Sequence, residues 1–324
     1  MVKLKDIVHP VNDDLIRFNI VLKESVKSNI NLINIVINYI LKNKGKQLRP
    51  ILCLLSAKIC SKPNDSSLIA ASLIEMLHIA TLVHDDIIDD SPMRRGWPSI
   101  KTIWKNKISL LIGDYIFSKA LSNMIKLRNL DALEILSDTS DRLSQGELLQ
   151  MERAKNKEMD EAVYFKMVSD KTASLFSASA EIGALTVDAT NQQRKSLKKF
   201  GEKLGIAFQI KDDLFDVTGT QHGLGKPVGF DVKRNLLTFP FIHYISNIDS
   251  GRRRYYQSKL KFHAKRKELN KIKDMITKSG SLEYTHKVMG RISNEAIEEL
   301  NIFKESDSKN SLISLVKYNL NRTR

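Results

Sequence analysis

The sequence predicts an all-α protein: a bundle of helices around a central active-site cavity. Apolar residues recur at helical spacing along nearly the whole chain, and strand-like alternation bounded by turn signals is rare. Seven prolines and fourteen glycines in 324 residues leave room for many uninterrupted helices. Length alone fits one large domain or two ordinary ones. No long Ser/Gly linker or short-period repeat divides the chain, so residues 1–324 read as a single domain.

In chain order, the periodicity predicts helices over 11–43, 48–60, 66–90, 108–127, 130–153, 160–169, 172–187, 191–217, 234–247, 250–279 and 281–304. Turn chemistry separates several of them: Lys44-Gly45-Lys46, Lys62-Pro63-Asn64-Asp65, Ser91-Pro92 to Pro98, and Gly219 to Gly229. Cys53 and Cys60 stand two helical turns apart, roughly 10 Å between Cα atoms, too far for a disulfide. They read as small buried hydrophobes, and Trp97 and Trp104 as packing residues.

The hydrophobic content of 42% is that of a globular protein. No run of about 18 apolar residues exists, and Met1 to Asp6 lacks the apolar core of a signal peptide, so a cytoplasmic protein is expected. A net charge of +15 and a pI of about 9.6 point to anionic partners: nucleic acid, a membrane surface or phosphorylated small molecules. Much of the excess lies between Arg252 and Lys273, interleaved with apolar residues at helical spacing. That pattern reads as a solvated helical face. No helix-turn-helix, zinc or aromatic RNA-binding signature accompanies it, so no nucleic-acid partner is expected.

Two acidic stretches stand out. In His84-Asp85-Asp86-Ile87-Ile88-Asp89-Asp90, a helical reading puts Asp85 and Asp89 on one face and Asp86 and Asp90 on the next. Like charges at this spacing cost an isolated helix roughly 0.2–0.5 kcal/mol per pair. One such cluster fits a solvated helix end as well as a cation site. Gln209-Ile210-Lys211-Asp212-Asp213-Leu214-Phe215-Asp216 then repeats the spacing in the other half of the chain. Two carboxylate faces can build one divalent-cation site, and oxygen ligands without His or Cys favour a hard ion that shares its shell with phosphates.

Cations are placed to complement such a site. Lys46 and Arg49 flank a helix start, either as a surface turn or as diphosphate partners. His78 lies two turns before Asp85 on nearly the same face, either as a packed core residue or as an anion contact. Arg94 and Arg95 occupy a Pro- and Gly-bounded loop able to fold back over the carboxylates. Lys171-Thr172 interrupts an apolar helix pattern, and Lys226 sits in a loop after the second cluster.

The ordered set of Gly45-Lys46-Gln47-Leu48-Arg49-Pro50, Glu75 to His78, His84 to Asp89, Arg94-Arg95-Gly96, Gly113-Asp114, Gly146-Glu147, Lys171-Thr172 and Gln209 to Asp216 resembles the trans-type isoprenyl diphosphate synthases, or polyprenyl synthetases. The resemblance spans nearly the whole chain. It implies an all-α prenyl-synthase fold, a homodimer, and head-to-tail condensation of isopentenyl diphosphate onto an allylic diphosphate.

Carried over residue by residue, it implies that Asp85, Asp89 and Asp212 are magnesium ligands. Asp86, Asp213 and Asp216 are further ligands or their neighbours, around about two or three ions. Arg94, Lys171 and Lys226 would grip the allylic diphosphate, and Lys46, Arg49, His78 and Arg95 the isopentenyl diphosphate. Thr172 and Gln209 would line the reacting centre. The catalytic set is then Asp85, Asp89, Lys171, Thr172, Gln209 and Asp212.

Chain length should depend on the helix below the first cluster. Thr81 and Ala80 lie roughly 6–7.5 Å deeper than Asp85, where short-chain members resembling this family often carry an aromatic plug. Small residues there suggest a tunnel past Leu77, Met76 and Leu73, and a product longer than about C20, near C30 to C45, for a quinone side chain. A short-chain farnesyl or geranylgeranyl diphosphate synthase is the alternative, as are a terpene cyclase and a non-catalytic subunit of a heteromeric synthase. One departure is Leu236, which stands where the family usually has a lysine, with Lys233 and Arg234 nearby. A long product must leave for a bilayer, so peripheral membrane contact is also expected.

Overall fold

The computed structural model describes residues 3–156, 159–218, 238–252 and 266–322. Within them the chain is helical almost throughout. It begins with α1 (Leu4–Val8), α2 (Asn12–Ser25), α3 (Asn31–Lys42), α4 (Leu48–Cys60) and α5 (Asp65–Ile88). A two-stranded ribbon, β1 (Met93–Arg94) and β2 (Trp97–Pro98), leads into α6 (Ile100–Lys126), α7 (Leu130–Asn156), α8 (Glu161–Val168), α9 (Ser174–Leu185) and α10 (Asn191–Thr218). After the undescribed segment come α11 (Phe239–Ser246), α12 (Arg266–Lys278), α13 (Ser281–Glu298) and α14 (Asp307–Asn321).

Helix α5 is the spine. It starts in a reciprocal cap between Asn64 and Ser67, and Ser67 also meets the Thr186 hydroxyl at the end of α9. Residues from Leu68 to Met76 are almost wholly buried, so this long apolar helix is a core element. It packs on α6, α2, α4 and α9, while α9 packs in turn on α4 and α10. Glycines allow the closest approaches: a Cβ at Gly183 would lie 2.1 Å from the Cys53 carbonyl oxygen, and one at Gly201 2.5 Å from that of Phe176.

Several boundaries differ from those read in the sequence. The predicted helix over 11–43 is two helices, because Asn34 folds back to hydrogen-bond both the N–H and the carbonyl of Ser28. Helix α6 starts earlier than predicted, but Lys105 (φ 67°) interrupts it, so its regular part begins near the expected place. Ser91 to Pro98, predicted as a loop, contains a hairpin whose central residues Arg95 (φ 53°) and Gly96 (φ 80°) are both left-handed. Helices α1 and α14 were not predicted at all. Both cysteines are free thiols, and burial pushes each up to about 12.

Candidate active site

Helices α4, α5 and α10, the turn before α9, the arginine hairpin and Arg322 line a cavity of about 880 Å³. Its wall includes Asp85, Asp212 and Asp216 together with Lys46, Arg49, His78, Arg94, Arg95, Lys171, Thr172 and Gln209. Residues far apart in sequence thus share one chamber. Lys226, Leu236, Lys233 and Arg234 lie outside the described residues.

Both acidic clusters sit at helix C-termini, where the macrodipole adds negative charge. Helix α5 ends in a Schellman closure, with the Ser91 N–H on the Asp86 carbonyl, the Asp90 N–H on that of Ile87, and Asp90 left-handed at φ 47°. The closure ends the helix before Asp90 can share a face with Asp86. Asp90 is exposed and pairs with Lys101 instead.

Asp85 keeps the position its spacing implies. Burial, with Glu147 and Asp89 adding to it, pushes its carboxyl up to about 6 against the pull of Lys171 and Arg94. Burial likewise raises the Asp212 carboxyl, opposed by Arg322, Arg49 and Lys46. Carboxylate oxygens on two helices that open into one cavity fit a hard divalent cation, although no three acidic or imidazole groups among the described residues already converge as a metal nest. Such an ion would take water and phosphate oxygens to complete its shell.

Asp86 and Asp213 are each held by several protein donors. Asp86, 3% exposed, is clasped by Arg94, whose Nε lies 2.8 Å from both carboxylate oxygens and whose Nη2 lies 2.7 Å from Oδ1. Asp213 accepts from the Tyr164 hydroxyl at 2.7 Å, the Phe239 N–H at 2.9 Å and Gln209 Nε2 at 3.0 Å. These two carboxylates therefore brace the walls in this structure, while Asp85, Asp212 and Asp216 form them.

The basic side of the cavity is built by mutual support. Arg49 lies over the Phe176 ring at 4.5 Å and 3.1 Å from His78 Nε2. Burial and the neighbouring arginines hold His78 well below the usual imidazole range, so it is neutral and its Nε2 accepts from Arg49. Burial also lowers Arg49 to about 10, which leaves it charged at neutral pH. Arg95 lies flat on Gly45, where a Cβ would stand 2.4 Å from its guanidinium carbon. Buried Glu75 supplies negative charge to both arginines.

Lys171 occurs in a π-helical turn, Ser169–Ala173, between α8 and α9. Arg142 pins that turn through the Asp170 carboxylate at 2.9 Å and the Ser169 carbonyl at 3.1 Å. Lys171 pairs with Glu147 and donates to Gln150 at 2.7 Å. Burial disfavours its ammonium, but Glu147, Asp85 and Asp89 outweigh burial and hold it above the usual lysine range. Glu75 and Glu147 belong to the ordered set that carries the resemblance, whereas Gln150 and Arg142 support the site without belonging to a motif read in the sequence. The sequence reading also missed Arg322, whose Nη2 lies 2.7 Å from Asp212 and whose guanidinium stacks over Phe208 at 4.0 Å.

Of the proposed chain-length residues, Thr81 lines the cavity, whereas Ala80, Leu77 and Met76 are buried in the core. One residue of α-helix turns the side chain by about 100°, so Thr81 shares the face of Asp85 and Ala80 does not.

The model of the family described as "Polyprenyl synthetase" matches residues 30–278. The chain is 31% identical over 319 residues to an all-trans-nonaprenyl-diphosphate synthase (geranyl-diphosphate specific) from Rhodobacter capsulatus, covering 98% of each. It is 30% identical to the octaprenyl diphosphate synthase of Escherichia coli, covering 96% of each. Its fold is similar to that of a polyprenyl synthase from Caulobacter crescentus, crystallised with calcium and isoprenyl diphosphate. The TM-score is 0.94 at 28% identity, over 99% of this chain and 98% of that one.

Proposed function

This chain belongs to the polyprenyl synthetase family, and on that premise we propose that its cavity joins isopentenyl diphosphate to an allylic diphosphate in the presence of magnesium. The protein is a prenyltransferase that makes long-chain all-trans polyprenyl diphosphates, in keeping with its nonaprenyl and octaprenyl diphosphate synthase relatives. One observation carries the reading of the site: an acidic wall and two basic groups open into the same chamber. Arg49, Arg95, Lys46 and His78 form one grip; Lys171 and Arg94 lie beside Asp85 and form the other.

The chemistry follows from where charge develops. The allylic C–O electron pair leaves with the diphosphate, so groups that hold the leaving group favour ionisation more than they favour the ground state. Asp85, Asp212 and Asp216 on the cavity wall, with Asp89 one turn after Asp85, would hold magnesium, which would supply Lewis-acid neutralisation of that diphosphate. Lys171 holds it as a cation. The isopentenyl double bond, placed by its own grip, donates its electron pair to the allylic carbon, and a proton then passes to the departed diphosphate. Thr172 and Gln209, which line the cavity, would face the positive carbon, from which the bound substrates must exclude water.

We further propose a homodimer through α6 and α7. Leu110, Phe117, Leu121 and Ile125 form one exposed stripe on α6, next in sequence to exposed Leu130 and Leu133 on α7, the clustered apolar surface that suits a symmetric protein–protein contact. The single-domain reading, a cytoplasmic location, a quinone side chain as destination and peripheral membrane contact complete the proposal. Free thiols accord with the first location, and a polyprenyl tail with the last two. Purified protein with magnesium, farnesyl diphosphate and labelled isopentenyl diphosphate should yield elongated diphosphates. Cyclised hydrocarbon, or no product, would overturn the reading.

A further inference from the structure

A hydrogen-bonded chain runs from the core to the reacting centre. Tyr164 on α8, 1% exposed, donates to Asp213 Oδ2 at 2.7 Å, and the Phe239 N–H donates to the same oxygen. Gln209 Nε2 donates to Asp213 Oδ1 at 3.0 Å, and the Thr172 hydroxyl donates to Gln209 Oε1 at 3.0 Å. Thr172 and Gln209 line the cavity; Tyr164 and Asp213 stand behind them.

The direction of this chain is dictated from its buried end. An ionised carboxylate only accepts, so Gln209 must present its NH2 to Asp213 and therefore its carbonyl oxygen to Thr172. The single proton of the Thr172 hydroxyl is then committed to Gln209. Its lone pairs are left to face the cavity, where they attract a carbocation; the reversed hydroxyl would aim its proton at the positive carbon. Two donors on Oδ2 keep the Asp213 carboxylate from rotating.

We propose that Tyr164 is a positioning residue for the condensation, fixing through Asp213 and Gln209 the polarity of the Thr172 hydroxyl toward the allylic cation. This inference rests on the reaction proposed above. Tyr164→Phe keeps the ring stacked on Phe239, 4.9 Å away, and removes only the hydroxyl. It should lower kcat about tenfold, with KM for both substrates within about twofold, because the hydroxyl touches neither substrate.

The decisive comparison is a double-mutant cycle read by single-turnover condensation. In a Thr172→Val background, Tyr164→Phe should cost less than about twofold, since the hydroxyl it orients is gone. Gln209→Glu, which turns an acceptor toward Asp213, should reproduce the kcat loss and keeps the test open if Tyr164→Phe does not fold. Additive losses, or parental kcat in both variants with parental melting, would overturn the relay. If the parent protein itself forms no elongated diphosphate, the reaction assignment fails instead.

Discussion

Arg322, just after the last helix, holds Asp212 at 2.7 Å, joining that helix to the second acidic cluster. Asn319 accepts from its Nε at 2.9 Å and the Phe208 carbonyl from its Nη2 at 2.9 Å, so the guanidinium is fixed before any ion arrives. The arginine thus occupies the place of a counter-cation for a proposed metal ligand. Removing it strips Asp212 of its strongest opposing charge. Arg322→Ala should tighten binding of manganese alone by about five- to tenfold in a titration, and lower stability by about 1–3 kcal/mol in urea unfolding. Weaker manganese binding would show that Arg322 organises the site rather than competing with the ion.

Asp85 gives a pH signature. Its carboxyl is raised from 3.8 to about 6 by burial and neighbouring carboxylates. A raised group favours the folded state most below its unfolded value and loses that contribution as pH rises through about 6. In metal-free protein, Asp85→Asn should therefore gain about 1–2 kcal/mol relative to the parent at pH 7 and show little difference at pH 4. Denaturant melts at the two pH values measure it. The same variant should lose nearly all condensation activity.

Gly45→Ala tests the seating of Arg95. The added Cβ would stand 2.4 Å from the guanidinium carbon, so the arginine must move. KM for isopentenyl diphosphate should rise about tenfold, the cost of one displaced charge-assisted contact, with KM for the allylic substrate little changed. Equal rises in both constants would contradict separate grips.

Thr81 and Ala80 separate the ruler from the core. Thr81→Phe places an aromatic ring in the cavity and should shorten the product seen by radiolabelled chain-length analysis. Ala80→Phe, at a site 1% exposed, should chiefly overpack the core and cost about 1–3 kcal/mol of stability. Shortening by Ala80→Phe without loss of stability would restore it to the tunnel wall.

The α6–α7 stripe predicts assembly. Leu121→Glu, on its exposed face, should convert a homodimer to monomers in analytical ultracentrifugation at micromolar concentration. A parent protein that is already monomeric would point to a different subunit as the partner.

Local sequence determined most of the helices, because a repeating apolar face is a property of consecutive residues. It also exposed both acidic clusters and the Lys46, Arg49, Arg94, Arg95 and Lys171 positions, since side-chain chemistry at a fixed spacing survives without coordinates. Tertiary structure decided what each charge faces. Asp86 and Asp85 are neighbours in sequence, yet the hairpin gives one an arginine and the helix face gives the other the cavity. Asp213 and Asp212 divide in the same way between Tyr164 and Arg322. No spacing rule marks Arg322 or Tyr164, because each meets its carboxylate only when α14 or α8 packs against α10. The physical reason is that helical periodicity is a short-range constraint, whereas the state of a buried charge depends on every element that closes around it.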